Sequence, residues 1–200
     1  MMVQIIIAIL IFLASYLLGS IPFGVIAGYL YKVDIRKKGS GNIGATNILR
    51  TLGIVPAALV FGADMLKGTA SVLLAIHYIN EPWINITAGI CALLGHSFSI
   101  FLKGKGGKGA ATGIGIILGL APTLFIYTLL IFIGILATSK YVSLSTLISA
   151  SSLVALMIIT QKPLPYSLIS GIGTVIIFIR HISNIQRLLA GTETKIGEKA

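Results

Sequence analysis

Long apolar stretches alternate with short polar ones along the whole chain. The apolar segments run over 3–31, 54–79, 83–102, 109–139, 141–161 and 163–179. Each reaches, or nearly reaches, the roughly 20 residues that an α-helix needs to cross a bilayer. Two polar, glycine-rich runs stand between them: Gly39-Ser40-Gly41-Asn42-Ile43-Gly44-Ala45-Thr46-Asn47 and Gly104-Lys105-Gly106-Gly107-Lys108-Gly109. The pattern predicts an all-α integral membrane protein whose chemistry sits in loops. Segment 3–31 has no charge and no basic leader, so it reads as a spanning helix rather than a cleaved signal peptide.

Segment 109–139 holds Ala121-Pro122 at its middle, after Gly113, Gly115 and Gly119. It can be one span or two. Charge arbitrates. With two short spans, 110–121 and 123–138, and the N-terminus outside, one face of the membrane carries all but two of the 15 Lys and Arg residues. The exceptions are Lys162 on the other face and Lys67 within a helix. That bias matches the rule that positive loops stay in the cytoplasm. The expected fold is therefore seven transmembrane helices, some short or broken, with the N-terminus outside and the C-terminus cytoplasmic. A 12-residue helix reaches only about 18 Å, so irregular backbone there has to line a cavity enclosed by protein. One polytopic domain over 1–200 is expected, with a mobile tail at 192–200.

Composition narrows the function. The chain has 200 residues, 56% hydrophobic and 10% charged, with net charge +10. This excludes an ordinary soluble domain. The basic residues sit in loops between spans, so anionic lipid is the expected partner and nucleic acid is not. Cys91 is the single cysteine and forms no intrachain disulfide. Five scattered carboxylates make no metal cluster, so neither metal nor cofactor is expected.

Gly39, Gly41 and Gly44 fit G-x-G-x-x-G, but the dinucleotide fingerprint needs a preceding strand, and here an apolar helix and basic residues precede it. Run 104–109 is no Walker A loop, because no G-K-[ST] follows at the required spacing. Both runs still offer flexible backbone donors beside cations, which suits phosphate. Ser40, Asn42, Thr46, Asn47 and Arg50 add polar groups that a plain turn does not need. His96, near the end of 83–102, is a candidate because histidine within membranes is rare. Neither it nor His77 nor His181 has an Asp five residues on, so no local His–Asp acyltransferase motif exists. Asp64 and Lys67, at i and i+3, read as a structural ion pair. Ser143 and Ser145 begin a helix, where capping is the simple role. His181, Asn184 and Arg187 share one helical face, and Glu193 and Lys195 continue the polar series.

Taken in order, these stretches resemble the bacterial membrane acyl-phosphate:glycerol-3-phosphate acyltransferases. The resemblance rests on Leu18-Gly19-Ser20-Ile21-Pro22-Phe23-Gly24, the run 39–47, Asp64-Met65-Leu66-Lys67-Gly68, and Gly95-His96 leading to Lys105–Gly109. It continues through Tyr141-Val142-Ser143-Leu144 and His181 to Arg187-Leu188. Ser99 and Gly104 depart from the family pattern, which looks richer there in Pro and an aromatic residue. The resemblance implies a seven-helix enzyme of the bacterial inner membrane with a cytoplasmic-facing site. It implies acyl transfer from acyl phosphate to the 1-hydroxyl of sn-glycerol 3-phosphate, giving lysophosphatidic acid and phosphate. The donor would come from a soluble acyl-phosphate-forming acyltransferase, a transient partner.

On this resemblance Arg50, Lys105, Ser143, His181 and Asn184 are expected to hold glycerol phosphate. Ser40, Gly41, Asn42, Thr46, Gly106, Gly107 and Lys108 are expected at the acyl-phosphate head, with backbone N–H groups on the oxyanion. Asn47, Arg187 and Glu193 complete the substrate-binding set. His96, Lys105, Asn42 and Ser40 form the catalytic group, the hydroxyl proton going to the phosphate or to His96. The rival reading is an organophosphate transporter or flippase. A third, an anionic-lipid-binding structural protein, explains the charges but not the Ser, Asn and Thr set. Transporters place polar groups near the bilayer midplane in an internal repeat; here they cluster in loops, and no repeat is found.

Overall fold

A computed structural model describes residues 2–193 and residue 195. Its helices are α1 (Met2–Ser20), α2 (Phe23–Leu30), α3 (Ala45–Leu52), α4 (Ile54–Tyr78) and α5 (Pro82–Ser97). They continue as α6 (Ala110–Leu120), α7 (Pro122–Ser139), α8 (Val142–Ile159), α9 (Leu164–Arg180) and α10 (Ile182–Leu189). Short 3-10 turns lie at Ile35–Lys37 and Ile100–Leu102. Among the described residues no strand occurs. Five helical stretches are long and apolar enough to cross a membrane, and a sixth is counted if α9 and α10 form one span across their 60° bend. Helix α6, with 11 residues, is apolar but reaches only about 16 Å. The all-α membrane reading therefore holds. The expected tail 192–200 falls largely on residues 194 and 196–200, outside those described.

Proline sets two breaks. Ala121 leaves helical geometry, with φ −151° and ψ 70°, and Pro122 opens α7 at its first turn. There proline's missing N–H costs nothing and its fixed φ suits a helix start. This is the interruption expected at 121–122. The second break was not expected: segment 3–31 stops at Ser20 and restarts at Phe23. Pro22 is the reason, since proline disfavours helical geometry in the residue before it.

The chain divides into two compact units, 1–120 and 121–200. In the first, α1 lies on α5 and α4 on α6, both at close range through glycine. A side chain at Gly19 would collide with the Ala92 carbonyl, and one at Gly95 with the Tyr16 carbonyl. Likewise Gly68 abuts the Thr112 carbonyl and Gly115 the Met65 carbonyl. Thr69 Oγ1 donates to the Gly115 carbonyl at 2.8 Å, across the same seam. In lipid there is no hydrophobic drive between helices, so small residues and interhelical hydrogen bonds hold them. In the second unit α8 packs on both α7 and α9, and Thr174 Oγ1 donates to the Ala150 carbonyl at 3.1 Å.

Gly115→Leu should overpack the α4–α6 seam and destabilise the protein by about 2 kcal/mol. Gly113→Ala, two residues away with nothing within 4 Å of an added carbon, should leave stability unchanged or slightly raised. Denaturant titration of the two purified variants in detergent checks the contrast; equal losses would contradict the seam.

Candidate functional site

In the first unit the run 39–47 is a loop built on an apolar floor. Ile35, Ile43, Ile48, Ala57 and Val60 form a buried cluster, with Phe23 and Leu102 packed against it. Leu102 belongs to the 3-10 turn just before the lysine loop, so this cluster underlies both glycine-rich runs. Gly39 and Gly41 have φ of +56° and +69°, the left-handed region that glycine enters without strain. Asn47, 1% exposed, staples the loop: its Nδ2 donates to the Ile35 and Lys38 carbonyls at 3.0 and 3.1 Å. Its Oδ1 accepts from the Ser40 N–H at 2.8 Å. Asn47 thus sits under the loop with both amide hydrogens committed to backbone. Asn42 Oδ1 accepts from the Gly44 N–H at 2.8 Å and sets the entry to α3. Ser40, Thr46 and Arg50 are exposed. In the first turn of α3 the Asn47 and Ile48 N–H groups bond to the Gly44 carbonyl, which leaves those of Ala45 and Thr46 as donors.

The lysine loop is folded back along the end of α5. Gly106 N–H donates to the Ser97 carbonyl at 3.1 Å, and Gly107 N–H to the His96 carbonyl at 3.0 Å. The expectation that these two N–H groups face a ligand is therefore not met; they close the last turn of α5 instead. Ser99 Oγ donates to the Ser20 carbonyl at 2.6 Å, and Tyr16 Oη to the Phe98 carbonyl at 2.8 Å, tying the loop to α1. Ser99, a departure in the sequence, is thus part of the support. Arg50, Lys105 and Lys108 are exposed and belong to none of the ion pairs among the described residues. They are cations available to an anion. Arg36 differs, being paired to Asp34 at 2.9 Å; the hydrogen bond from Arg36 holds the Asp34 carboxyl below its ordinary range.

Beneath the loop lie three buried polar side chains. Asp64 Oδ1 stands 2.9 Å from Lys67 Nζ, the expected i, i+3 pair. Lys67 also donates to the Ile21 carbonyl at 3.1 Å, at the Pro22 break, and lies over the Phe23 ring. His96, 4% exposed, has its Nε2 edge against Gly107, where any side chain would collide with it.

In the second unit the expected set gathers on one carboxylate. Glu193 accepts from Ser143 Oγ at 2.7 Å, Asn184 Nδ2 at 2.8 Å and Arg187 Nε at 2.7 Å. The expected capping role of Ser143 is replaced by this bond, and Ser145 Oγ donates to the Tyr141 carbonyl at 2.8 Å; α8 has no side-chain cap. His181 Nδ1 donates to the Ile177 carbonyl at 2.8 Å, which fixes its hydrogen on Nδ1. Lys195 lies over the Tyr141 ring. Spacing showed the shared face of Asn184 and Arg187; it carried no sign that Glu193 bridges them to Ser143.

Hydrogen bonds from Asn184 and Ser143, then from Arg187, hold the Glu193 carboxyl below its ordinary range. A lowered folded value means the bridge stabilises fully above the unfolded value and is lost as pH falls through the folded one. Glu193→Gln should therefore lower the thermal midpoint in detergent near about pH 7, and flatten its fall toward about pH 4. Thermal scans across that range check it; parallel curves for variant and parent would contradict the bridge.

The family described as glycerol-3-phosphate acyltransferase matches residues 9–191. A glycerol-3-phosphate acyltransferase of Trichormus variabilis is 44% identical over 203 aligned positions, covering 92% of this chain and 90% of that protein. A glycerol-3-phosphate acyltransferase 2 of Moorella thermoacetica is 42% identical, covering 96% of this chain and 99% of its own. Among solved structures, the crystal structure of PlsY (YgiH), an integral membrane glycerol 3-phosphate acyltransferase in its glycerol 3-phosphate form, superposes with a TM-score of 0.81. It is 36% identical and covers 95% of this chain and 96% of that one. Its lysophosphatidic acid form superposes equally, at 0.81 with 35% identity and 95% of each chain covered. With the family matching residues 9–191 and relatives more than 40% identical over nine-tenths of the chain, this chain belongs to the glycerol-3-phosphate acyltransferase family.

Proposed function

We propose that this protein transfers a fatty acyl group from acyl phosphate to the 1-hydroxyl of sn-glycerol 3-phosphate, releasing lysophosphatidic acid and phosphate. The observation that carries the reading is the match over 95% of the chain to an acyltransferase solved in a glycerol 3-phosphate form and a lysophosphatidic acid form. Membership of that family decides against the transporter reading. The spans and the family place the protein in a bacterial membrane.

Two phosphates have to be held. On the first unit the groups assigned to them are Ser40, Gly41, Asn42 and Thr46 with Arg50, Lys105 and Lys108. On the second they are Ser143, His181 and Asn184. The reaction breaks the acyl C–O bond of a mixed anhydride and forms an ester C–O bond. The hydroxyl proton leaves on the departing phosphate, so no protein base is required. Catalysis then consists of positioning and of stabilising charge on the carbonyl oxygen. With the Gly106 and Gly107 amides committed to α5, the exposed cations and the open end of α3 are the groups left to do this on the first unit. His96, buried beneath the loop, acts from below.

The seven-crossing arrangement is proposed on charge, counting α1 with α2 as one span and α4 to α9 as the rest. It sets the N-terminus outside and both glycine-rich runs at the cytoplasmic face, where a soluble acyl-phosphate-forming acyltransferase can deliver the donor. In a Cys91→Ala background, Lys140→Cys and Lys162→Cys should label from opposite faces of sealed vesicles. Labelling from the same face would contradict seven crossings.

Purified protein given palmitoyl phosphate should release phosphate only when sn-glycerol 3-phosphate is present, with one lysophosphatidic acid per phosphate. Arg50→Ala and Lys105→Ala should each lower kcat/KM by about 10–100-fold, the loss of a charged hydrogen bond to phosphate. Unchanged rates in both would contradict the site; an inert parent enzyme would contradict the function.

A further inference from the structure

The His–Asp pairing that the sequence lacks at local spacing is assembled across two helices. Asp64 on α4 sets Oδ1 3.6 Å from Nδ1 of His96 on α5. Asp64, Lys67 and His96 are 3%, 3% and 4% exposed, so none of them is screened by solvent. Nδ1 of His96 is buried and makes no hydrogen bond. A 3.6 Å separation is longer than a hydrogen bond, so the two groups face each other without a formed bond. The opposite ring edge, with Nε2, lies against Gly107, while the His96 carbonyl takes the Gly107 N–H. A structural ion pair between Asp64 and Lys67 accounts for two of these side chains. It does not account for a buried imidazole that turns one nitrogen to the carboxylate and the other to the loop.

We propose that Asp64 is a positioning residue that acts through His96 on the lysine loop. Without a hydrogen on Nδ1, its lone pair would face a carboxylate oxygen, two electron-rich atoms in a buried site. Asp64 therefore holds the hydrogen on Nδ1 and leaves Nε2 as an acceptor under Gly107. A histidine fixed by a carboxylate behind it is oriented as well as tautomerically defined. The ring then works as a strut: it sets the loop's height over α5 and so the reach of Lys108 to the acyl-phosphate head. Lys67, bonded to the same Oδ1 of Asp64 and to the Ile21 carbonyl, fixes the carboxylate in place. The proposal rests on the reading that this loop binds the acyl-phosphate head.

The test removes both charges together, so that no buried ion is left unpaired. The variants are Asp64→Leu/Lys67→Met, which leaves His96 without an acceptor, and Asp64→Asn/Lys67→Met, which keeps one. The tautomer is read from side-chain 15N spectra of histidine-labelled protein in micelles, the His96 signal being the one lost in His96→Gln. His96 in the parent and in the Asn variant should carry its hydrogen on Nδ1, and in the Leu variant it should shift toward Nε2. The KM for palmitoyl phosphate should rise about tenfold or more in the Leu variant alone, with that for glycerol 3-phosphate within about twofold. An Nδ1-bound hydrogen in the Leu variant, or parental kinetics with an altered tautomer, would overturn the proposal. Failure of both variants to fold, while His96→Gln folds with a parental KM for palmitoyl phosphate, would also overturn it. A parent with the expected tautomer but no acyl transfer would instead overturn the functional reading.

Discussion

Backbone polar groups have no partner in lipid, and irregular backbone survives at membrane depth only where protein supplies one. The first unit meets this constraint at three places with a side chain from elsewhere in the chain. Lys67 donates to the Ile21 carbonyl at the Pro22 break. Ser99 takes the Ser20 carbonyl one residue earlier. Asn47 gathers the Ile35 and Lys38 carbonyls and the Ser40 N–H. Glycine lets the helices that carry these groups approach until backbone touches backbone. Remove those contacts and the two polar loops lose their mounting, whatever their own sequences.

The same constraint sorts the charges into two kinds. Lys67 and Asp64 are buried, mutually bonded and part of the frame. Arg50 on α3 and Lys105 and Lys108 on the lysine loop are exposed and outside the ion pairs of the described residues. A phosphate that binds there pairs with cations that have no internal partner to give up. His96 belongs to the frame yet touches the loop, so it stands between the buried pair and the lysine loop.

The sequence carried whatever a local pattern can encode. Apolar length marked the spans, Ala121-Pro122 marked a real break, and i, i+3 spacing marked the Asp64–Lys67 pair. The face shared by Asn184 and Arg187 was legible as helical spacing, and the chain forms α10 there. What escaped are bonds between residues far apart in sequence, which leave no periodic trace. Ser143 meets Glu193 across 50 positions and Ser99 meets Ser20 across 79. The lysine loop shows the opposite limit: its glycines promised free N–H donors, but those of Gly106 and Gly107 close the end of α5. Composition shows that a loop can bind an anion; only the fold shows which of its donors remain free.

In the proposed site the runs 39–47 and 104–109 hold one phosphate between them, over the floor of Ile35, Ile43 and Ile48. The most direct measurement is a structure of the protein bound to a non-hydrolysable acyl phosphonate. The phosphonate is expected within hydrogen-bonding distance of Ser40 or Thr46 and of Lys108, with Gly106 and Gly107 still bonded to α5. A phosphonate seated away from both runs, or on the Gly106 and Gly107 amides freed from α5, would contradict it.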